Sequence, residues 1–242
     1  MGHAMRRAAR GTQGGFDPIT GVGWTHAYWA EGGEFAALGL GDGAAVGTWP
    51  DEVGTLDATQ GPAGSKPTYR ATLGPNSKPT VQFDGGDWML TSTLTQAQPF
   101  SLLIVASIDV LAPTKYYAGD AAIKVGLSYN NGGSDLKQLA MYAGAGVTGN
   151  SDADYNTSPH MMRGTFNGAS SVNDLDGTTK TVSPGSNGIS SGLVFGAISN
   201  PGVASMQGKL AFFGVYNGNV AADAGWTSFK AWVTSHYGIT IA

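Results

Sequence analysis

The chain reads as an all-β antiparallel sandwich, and three features of its 242 residues carry that reading. Glycine occurs 38 times, about twice its ordinary share, so tight turns are many. Aspartate outnumbers glutamate 14 to 3, and glutamate favours helices whereas aspartate favours turns and caps. Short apolar or alternating runs recur along the chain with turn signals between them. A length of 242 with 41% apolar residues suits one domain with a sizeable core.

Residues 1–20 are Gly-rich and aperiodic and predict an extended N-terminal arm, with the folded domain spanning 21–242. Between Trp24 and Trp49 apolar residues alternate with glycines, as in short strands turning at Gly41-Asp42-Gly43. Val81 and Phe83 share one face of a strand that turns at Asp84-Gly85-Gly86-Asp87 and returns from Trp88. The nearly continuous apolar run Ser101 to Leu111 predicts a central strand buried on both faces. Shorter candidates follow at 122–129, 138–143, 161–166, 171–175, 179–182, 193–197 and 209–216. Asp176-Gly177 between two of them predicts a type I′ hairpin. Only 220–237 reads as helix: Trp226, Phe229, Val233 and Tyr237 form one stripe, Asn219 stands as the N-cap and Gly238 follows the end.

Charge and composition remove several classes. A net charge of −4 leaves no basic surface for nucleic acid. No apolar run reaches the ~18 residues a membrane-spanning helix needs, and the absence of cysteine excludes disulfides and thiol nucleophiles. Arg6, Arg7 and Arg10 make a basic start, but Gly11 to Gly15 stands where a signal peptide would be apolar, so no signal peptide is expected. Gly144 to Gly149 fits G-x-G-x-x-G and Gly188 to Gly192 fits G-x-S-x-G, yet neither opens a helix as those sites require.

Three kinds of site remain. Tyr116, Tyr117, Tyr129, Tyr142 and Tyr155 cluster in the Gly- and Asn-rich middle, where exposed loops would let them stack on sugar rings. Asp152 and Asp154 in a polar loop begin a calcium site, although no cofactor is required. Glycoside hydrolysis needs two carboxyl groups flanking the glycosidic oxygen, and Asp152 with Asp154, Asp174 with Asp176, or Asp84 with Asp87 are the pairs available.

The order of Trp49-Pro50-Asp51, Pro67-Thr68-Tyr69, Val81-Gln82-Phe83-Asp84-Gly85, Phe166-Asn167-Gly168, Asp176-Gly177, Phe195-Gly196 and Gly208-Lys209-Leu210 before the terminal helix resembles the laminin-G-like, concanavalin A-type jelly roll. The resemblance implies Trp49 and Trp88 as buried core anchors. With no signal and no cysteine, it is similar to the form of this domain found in bacteriophage particles. It therefore implies a non-enzymatic structural or adhesion protein of the virion, in capsid, collar or tail. Arg6, Arg7, Arg10 and Phe16 would then anchor it to other virion proteins in many copies, while its loops face cell-surface glycans. The alternatives are a soluble carbohydrate-binding module or lectin, and a glycoside hydrolase using the Asp pairs.

Overall fold

The structure is a computed structural model that describes residues 15–111, 115–131, 137–145, 148–150, 156–199 and 202–242. In chain order its strands begin with β1 (His26–Trp29), β2 (Thr48–Trp49), β3 (Ala58–Thr59), β4 (Thr68–Arg70), β5 (Thr80–Asp84) and β6 (Met89–Thr91). Next come β7 (Phe100–Ile108), β8 (Lys115–Asp120), β9 (Gly126–Asn131), β10 (Lys137–Tyr142) and β11 (Thr148–Asn150). The last are β12 (His160–Phe166), β13 (Ser171–Leu175), β14 (Thr178–Val182), β15 (Leu193–Phe195) and β16 (Gln207–Asn217). Helix α1 (Gly33–Ala36) is a single turn, and α2 (Trp226–Tyr237) closes the fold.

Two antiparallel sheets form. Sheet 1 runs β14-β13-β12-β7-β16-β5-β4, with β1 also pairing to β16; sheet 2 runs β11-β10-β9-β8-β15-β6-β3-β2. Non-sequential neighbours such as β7 and β16 show the chain crossing between sheets, so the all-β sandwich predicted from composition is the architecture observed. The fold is jelly-roll-like, with one C-terminal helix.

All nine residues of β7 are buried, and the reason lies in its two faces. Phe100, Leu102, Ile104, Ala106 and Ile108 enter the core between the sheets, while Leu103 and Val105 enter a second core beneath α2. A strand covered on both sides loses the polar alternation of a half-exposed one, which is why its sequence is continuously apolar. The second core joins Trp24, Ala27, Met161 and Phe212 to Phe229 and Val233 of α2, and its aromatic rings meet edge-on or tilted at 5.4–5.7 Å, as at Trp24–Phe229, Phe212–Phe229 and Trp24–Phe212.

The predicted helix over 220–237 is two elements: a 3₁₀ turn at Val220–Ala222, whose Ala221 N–H is capped by Asn219, and then α2. Its stripe of Trp226, Phe229, Val233 and Tyr237 is buried, and Gly238 at φ +70° ends it in the left-handed conformation. The hairpin at Asp176-Gly177 also forms, with φ +49° and +90° as a type I′ turn needs.

Two expectations about the termini and anchors change. Residues 15–20 are not a free arm: Ile19 is buried in the second core and Phe16 packs edge-on against Phe229 at 6.3 Å, because the outer face of sheet 1 offers apolar surface that α2 alone does not cover. Arg6, Arg7 and Arg10 lie outside the described residues. Trp49 is fully buried, but Trp88, in the turn before β6, is only half-buried, its ring lying against Gly202.

Among the described residues no helix is long and apolar enough to cross a membrane.

Candidate functional site

The candidate strands at 122–129 and 138–143 correspond to β9 and β10, and with β8 and β11 they make half of sheet 2, so Tyr116, Tyr117, Tyr129 and Tyr142, expected on exposed loops, lie on strands. Strand geometry then sorts these tyrosines by face. Leu127 and Tyr129 of β9, and Leu139 and Met141 of β10, point into the core, so Gly126, Ser128, Ala140 and Tyr142 point the other way. Tyr116, opposite Ser128, shares its outer face and Tyr117 points into the core, while the irregularity in the β8–β9 pairing that follows turns Ala118, opposite Leu127, into the core as well. Tyr117 and Tyr129 are thus core residues rather than sugar contacts, with 1% and 0% exposure. Tyr155 lies outside the described residues.

Tyr116 and Tyr142, both half-buried, remain. Tyr142 stands opposite Gly126 in the β9–β10 register, and Tyr116 stands opposite Ser128 in the β8–β9 register. The Tyr116 ring leans over Gly126 so closely that a Cβ there would lie 2.5 Å from it. Glycine is required at this point by the close approach of a ring rather than by a turn. Burial raises the Tyr116 phenol above its usual value, and the neighbouring Tyr142 phenol adds to the rise. Two phenols therefore stand close together on the outside of sheet 2 over a floor of small residues, and Ser128 and Ala140 are themselves buried there. Aromatic rings set over such a floor give an apolar body and a polar tip to a ligand.

The rim turn between β5 and β6 carries a second arrangement. Asp84 Oδ1 accepts the Gly86 N–H at 2.8 Å, and Asp87 Oδ2 accepts the Asp84 N–H at 3.0 Å. Asp84 is exposed, whereas Asp87 is 5% exposed. Burial, reinforced by the Asp84 carboxylate and opposed by the Asp84 N–H, pushes the Asp87 carboxyl up to about 6. A carboxyl pushed up by burial beside a second, exposed carboxyl is the kind of contrast that acid–base chemistry uses. Trp88 lies alongside, its backbone held by Ser65 and Gln60.

The other carboxylates have structural work. Arg163 reaches Asp174 Oδ2 through Nε at 3.1 Å and Nη2 at 2.9 Å, both side chains 4% exposed, with Trp226 above the guanidinium. Burial raises the Asp174 carboxyl, outweighing the opposing pull of Arg163. Asp176 takes Nδ1 of His160 at 2.5 Å and the Met161 N–H at 2.7 Å. Asp174 with Asp176 is therefore no catalytic pair. Asp51 of the Trp-Pro-Asp stretch is buried, binds His26 Nδ1 at 2.7 Å and accepts the N–H groups of Ala27, Val53 and Leu56. Burial works to raise its carboxyl, but His26 and the N–H groups of Gly54, Ala27 and Val53 hold it below its ordinary value. Ser190 is a turn residue whose N–H bonds Asp120, and Thr148 and Gly149 at the end of the Gly144–Gly149 stretch lie in β11.

Asp152 and Asp154 lie outside the described residues. Among the described residues no three His, Asp or Glu side chains gather where a metal ion could be held.

No family model matches this chain, and no curated protein matches it. Solved structures do match its fold. A Trypanosoma rangeli sialidase in complex with sialic acid aligns with a TM-score of 0.55 at 13% identity, over 89% of this chain and 33% of that one. Domain 4 of AbnA, a GH43 extracellular arabinanase from Geobacillus stearothermophilus, in complex with arabinotriose, aligns at 0.55 and 10% identity over 78% of this chain and 98% of that one. An arabinofuranosidase complexed with arabinofuranosyl-α-1,2-xylobiose aligns at 0.60 and 11% identity, over 80% and 51%. The chain spans about a third of the length of the sialidases it matches. At these identities the likeness is one of fold.

The reading of a non-enzymatic virion structural protein is corrected by these matches. The structures that share the fold are carbohydrate-active enzymes and a domain of one, and the link to phage particles finds no support among them. A low-charge, Cys-free, Gly-rich sandwich is common to many settings, so composition could not tell these apart.

Proposed function

We propose that this chain works in glycan hydrolysis, as a carbohydrate-holding domain of a glycoside hydrolase, with Tyr116 and Tyr142 as its stacking face. The observation that carries this reading is the pair of half-buried phenols set together over Gly126 on the outside of sheet 2. Sugar rings present an apolar face to an aromatic plane and hydroxyls to its polar edge, and such contacts suit a shallow, open surface. The shared fold supports the reading, because one match is a single enzyme domain whose structure contains arabinotriose. Calorimetric titration with arabinotriose, cellotriose and chitotriose tests it. The Y116A/Y142A double variant should weaken sugar binding at least about tenfold, since each ring contributes on the order of 1 kcal/mol. Undiminished affinity in that variant would move the site elsewhere, and no binding by the wild type would remove the reading.

A second reading has its own observation, the Asp84 and Asp87 pair. Here Asp87, its carboxyl pushed up to about 6, donates a proton to the leaving glycosidic oxygen while the exposed Asp84 serves as base or nucleophile. Because the acid must carry its proton, hydrolysis would decline as pH rises through about 6. Reducing-sugar release from arabino-oligosaccharides should then drop by about two orders of magnitude in D87N. Release that persists unchanged in both D87N and D84N would end this reading.

A further inference from the structure

We infer that the tyrosine face selects neutral glycans and rejects acidic ones, such as those carrying uronic or sialic acid. The inference rests on Tyr116 and Tyr142 being the sugar-holding face.

Strand register defines what a ligand meets there. Alternation along β10 puts Gln138, Ala140 and Tyr142 on one side, and pairing sets Ala140 opposite Ser128 and Tyr142 opposite Gly126 on β9. Tyr116 of β8 stands opposite Ser128 from the other edge. The face on these three strands is therefore two phenols and an amide around small residues, and among the described residues no charged side chain shares it. Lys115, next to Tyr116 in the chain, pairs with Tyr129, whose ring lies in the core, so it falls on the opposite side of β8.

A carboxylate leaves water at low cost only where cations or N–H donors meet it. The main chain of β9 supplies none, because β9 is paired on both edges, to β8 and to β10, and its N–H groups lie in the plane of the sheet. Ser128 is buried and its hydroxyl is directed to the Ala140 carbonyl at 3.5 Å, within the sheet. The rings add a further penalty, since the face of an aromatic ring is its negative side and repels an anion laid on it. The Tyr116 phenol reports the same surroundings: burial raises it and the Tyr142 phenol adds to the rise, so negative charge is disfavoured at this point.

Sugar hydroxyls suit such a face. Each is donor and acceptor together, as the phenols and the Gln138 amide are, and the C–H side of a neutral ring packs on an aromatic plane with no charge to desolvate.

Matched ligands test this with the full chain. Arabinotriose, cellotriose and chitotriose are each titrated by calorimetry beside the same sugar oxidised at its primary hydroxyls to carboxylates. Whichever neutral trisaccharide binds the wild type should bind at least about tenfold tighter than its oxidised form, the loss that an unmatched polar or charged group brings. Gln138→Lys sets a cation on the face and should tighten binding of the oxidised form by about twofold to fivefold, the range of an exposed ion pair, with the gain lost in about 0.5 M salt. A wild-type circular dichroism spectrum reports that this variant is folded, and if it is not, the wild-type comparison decides alone. Equal or tighter binding of the oxidised form by the wild type would overturn the selection and leave the tyrosine face standing. A folded Gln138→Lys chain that binds the oxidised form no better than the wild type would overturn it too, because charge would then not be what the face rejects. If the wild type binds none of the three neutral sugars, the tyrosine face falls and the selection with it.

Discussion

The outer faces of the two sheets differ more than their sequences suggest. On sheet 1, Leu103, Val105, Met161 and Phe212 are sealed under α2 and under residues 16–24, and the polar groups at its margin are paired, as in the buried Arg163–Asp174 bridge. On sheet 2, β8 to β10 carry glycine, serine, alanine and two half-buried tyrosines, and the neighbouring loops hold strained backbone and exposed isoleucine and valine. One face spends its aromatic rings on packing. The other keeps part of two rings in solvent, where folding gains little from them and a ligand can gain more. The contrast teaches where to look for function in a sandwich with no obvious active site: at the face whose large side chains the fold does not need.

The contrast can be broken most sharply at Phe229. It is fully buried and rings meet it from Phe16, Trp24, Phe212, Trp226 and Trp232, so Phe229→Ala should cost about 3–5 kcal/mol in urea or guanidinium unfolding. Tyr142→Ala in the same experiment should cost well under half of that, because part of its ring is already in water. Comparable losses at the two positions would show that the sheet 2 face is simply a thinner core.

A smaller effect sharpens the same contrast. Ile123→Gly removes a left-handed β-branched residue and should leave stability unchanged or raise it by up to about 1 kcal/mol, despite glycine's greater freedom in the unfolded chain. A loss beyond about 1 kcal/mol would mean that the Ile123 side chain supports the fold.

Much of the scaffold was legible. The unbroken apolar run from Leu102 to Ala106 announced a strand covered on both faces, and Asp176-Gly177 announced its hairpin. The stripe of Trp226, Phe229, Val233 and Tyr237 announced α2. These signals are local, since period, turn chemistry and capping act over a few residues. The candidate site was legible only in part. Tyr116 and Tyr142 were singled out with Tyr117 and Tyr129, and nothing in the sequence separates the outward pair from the inward pair. Which tyrosines face the core depends on strand register, and the β8–β9 irregularity that brings Tyr117 and Ala118 both inward could not be counted from residue types. Asp87 looked like an ordinary turn residue because its burial depends on how the rim closes over it.

What the sequence by itself determined is the class of fold: glycine, aspartate and short alternating runs leave a sandwich with one terminal helix as the arrangement that buries its apolar residues. What only the tertiary structure decided is which side of each strand faces water and which distant segments meet. Ile198 reaches Gly126 and Tyr116 across more than 70 residues of chain, and Phe16 reaches Phe229 across more than 200. Such meetings depend on strand register and sheet packing, properties of the whole chain that no local window of sequence contains.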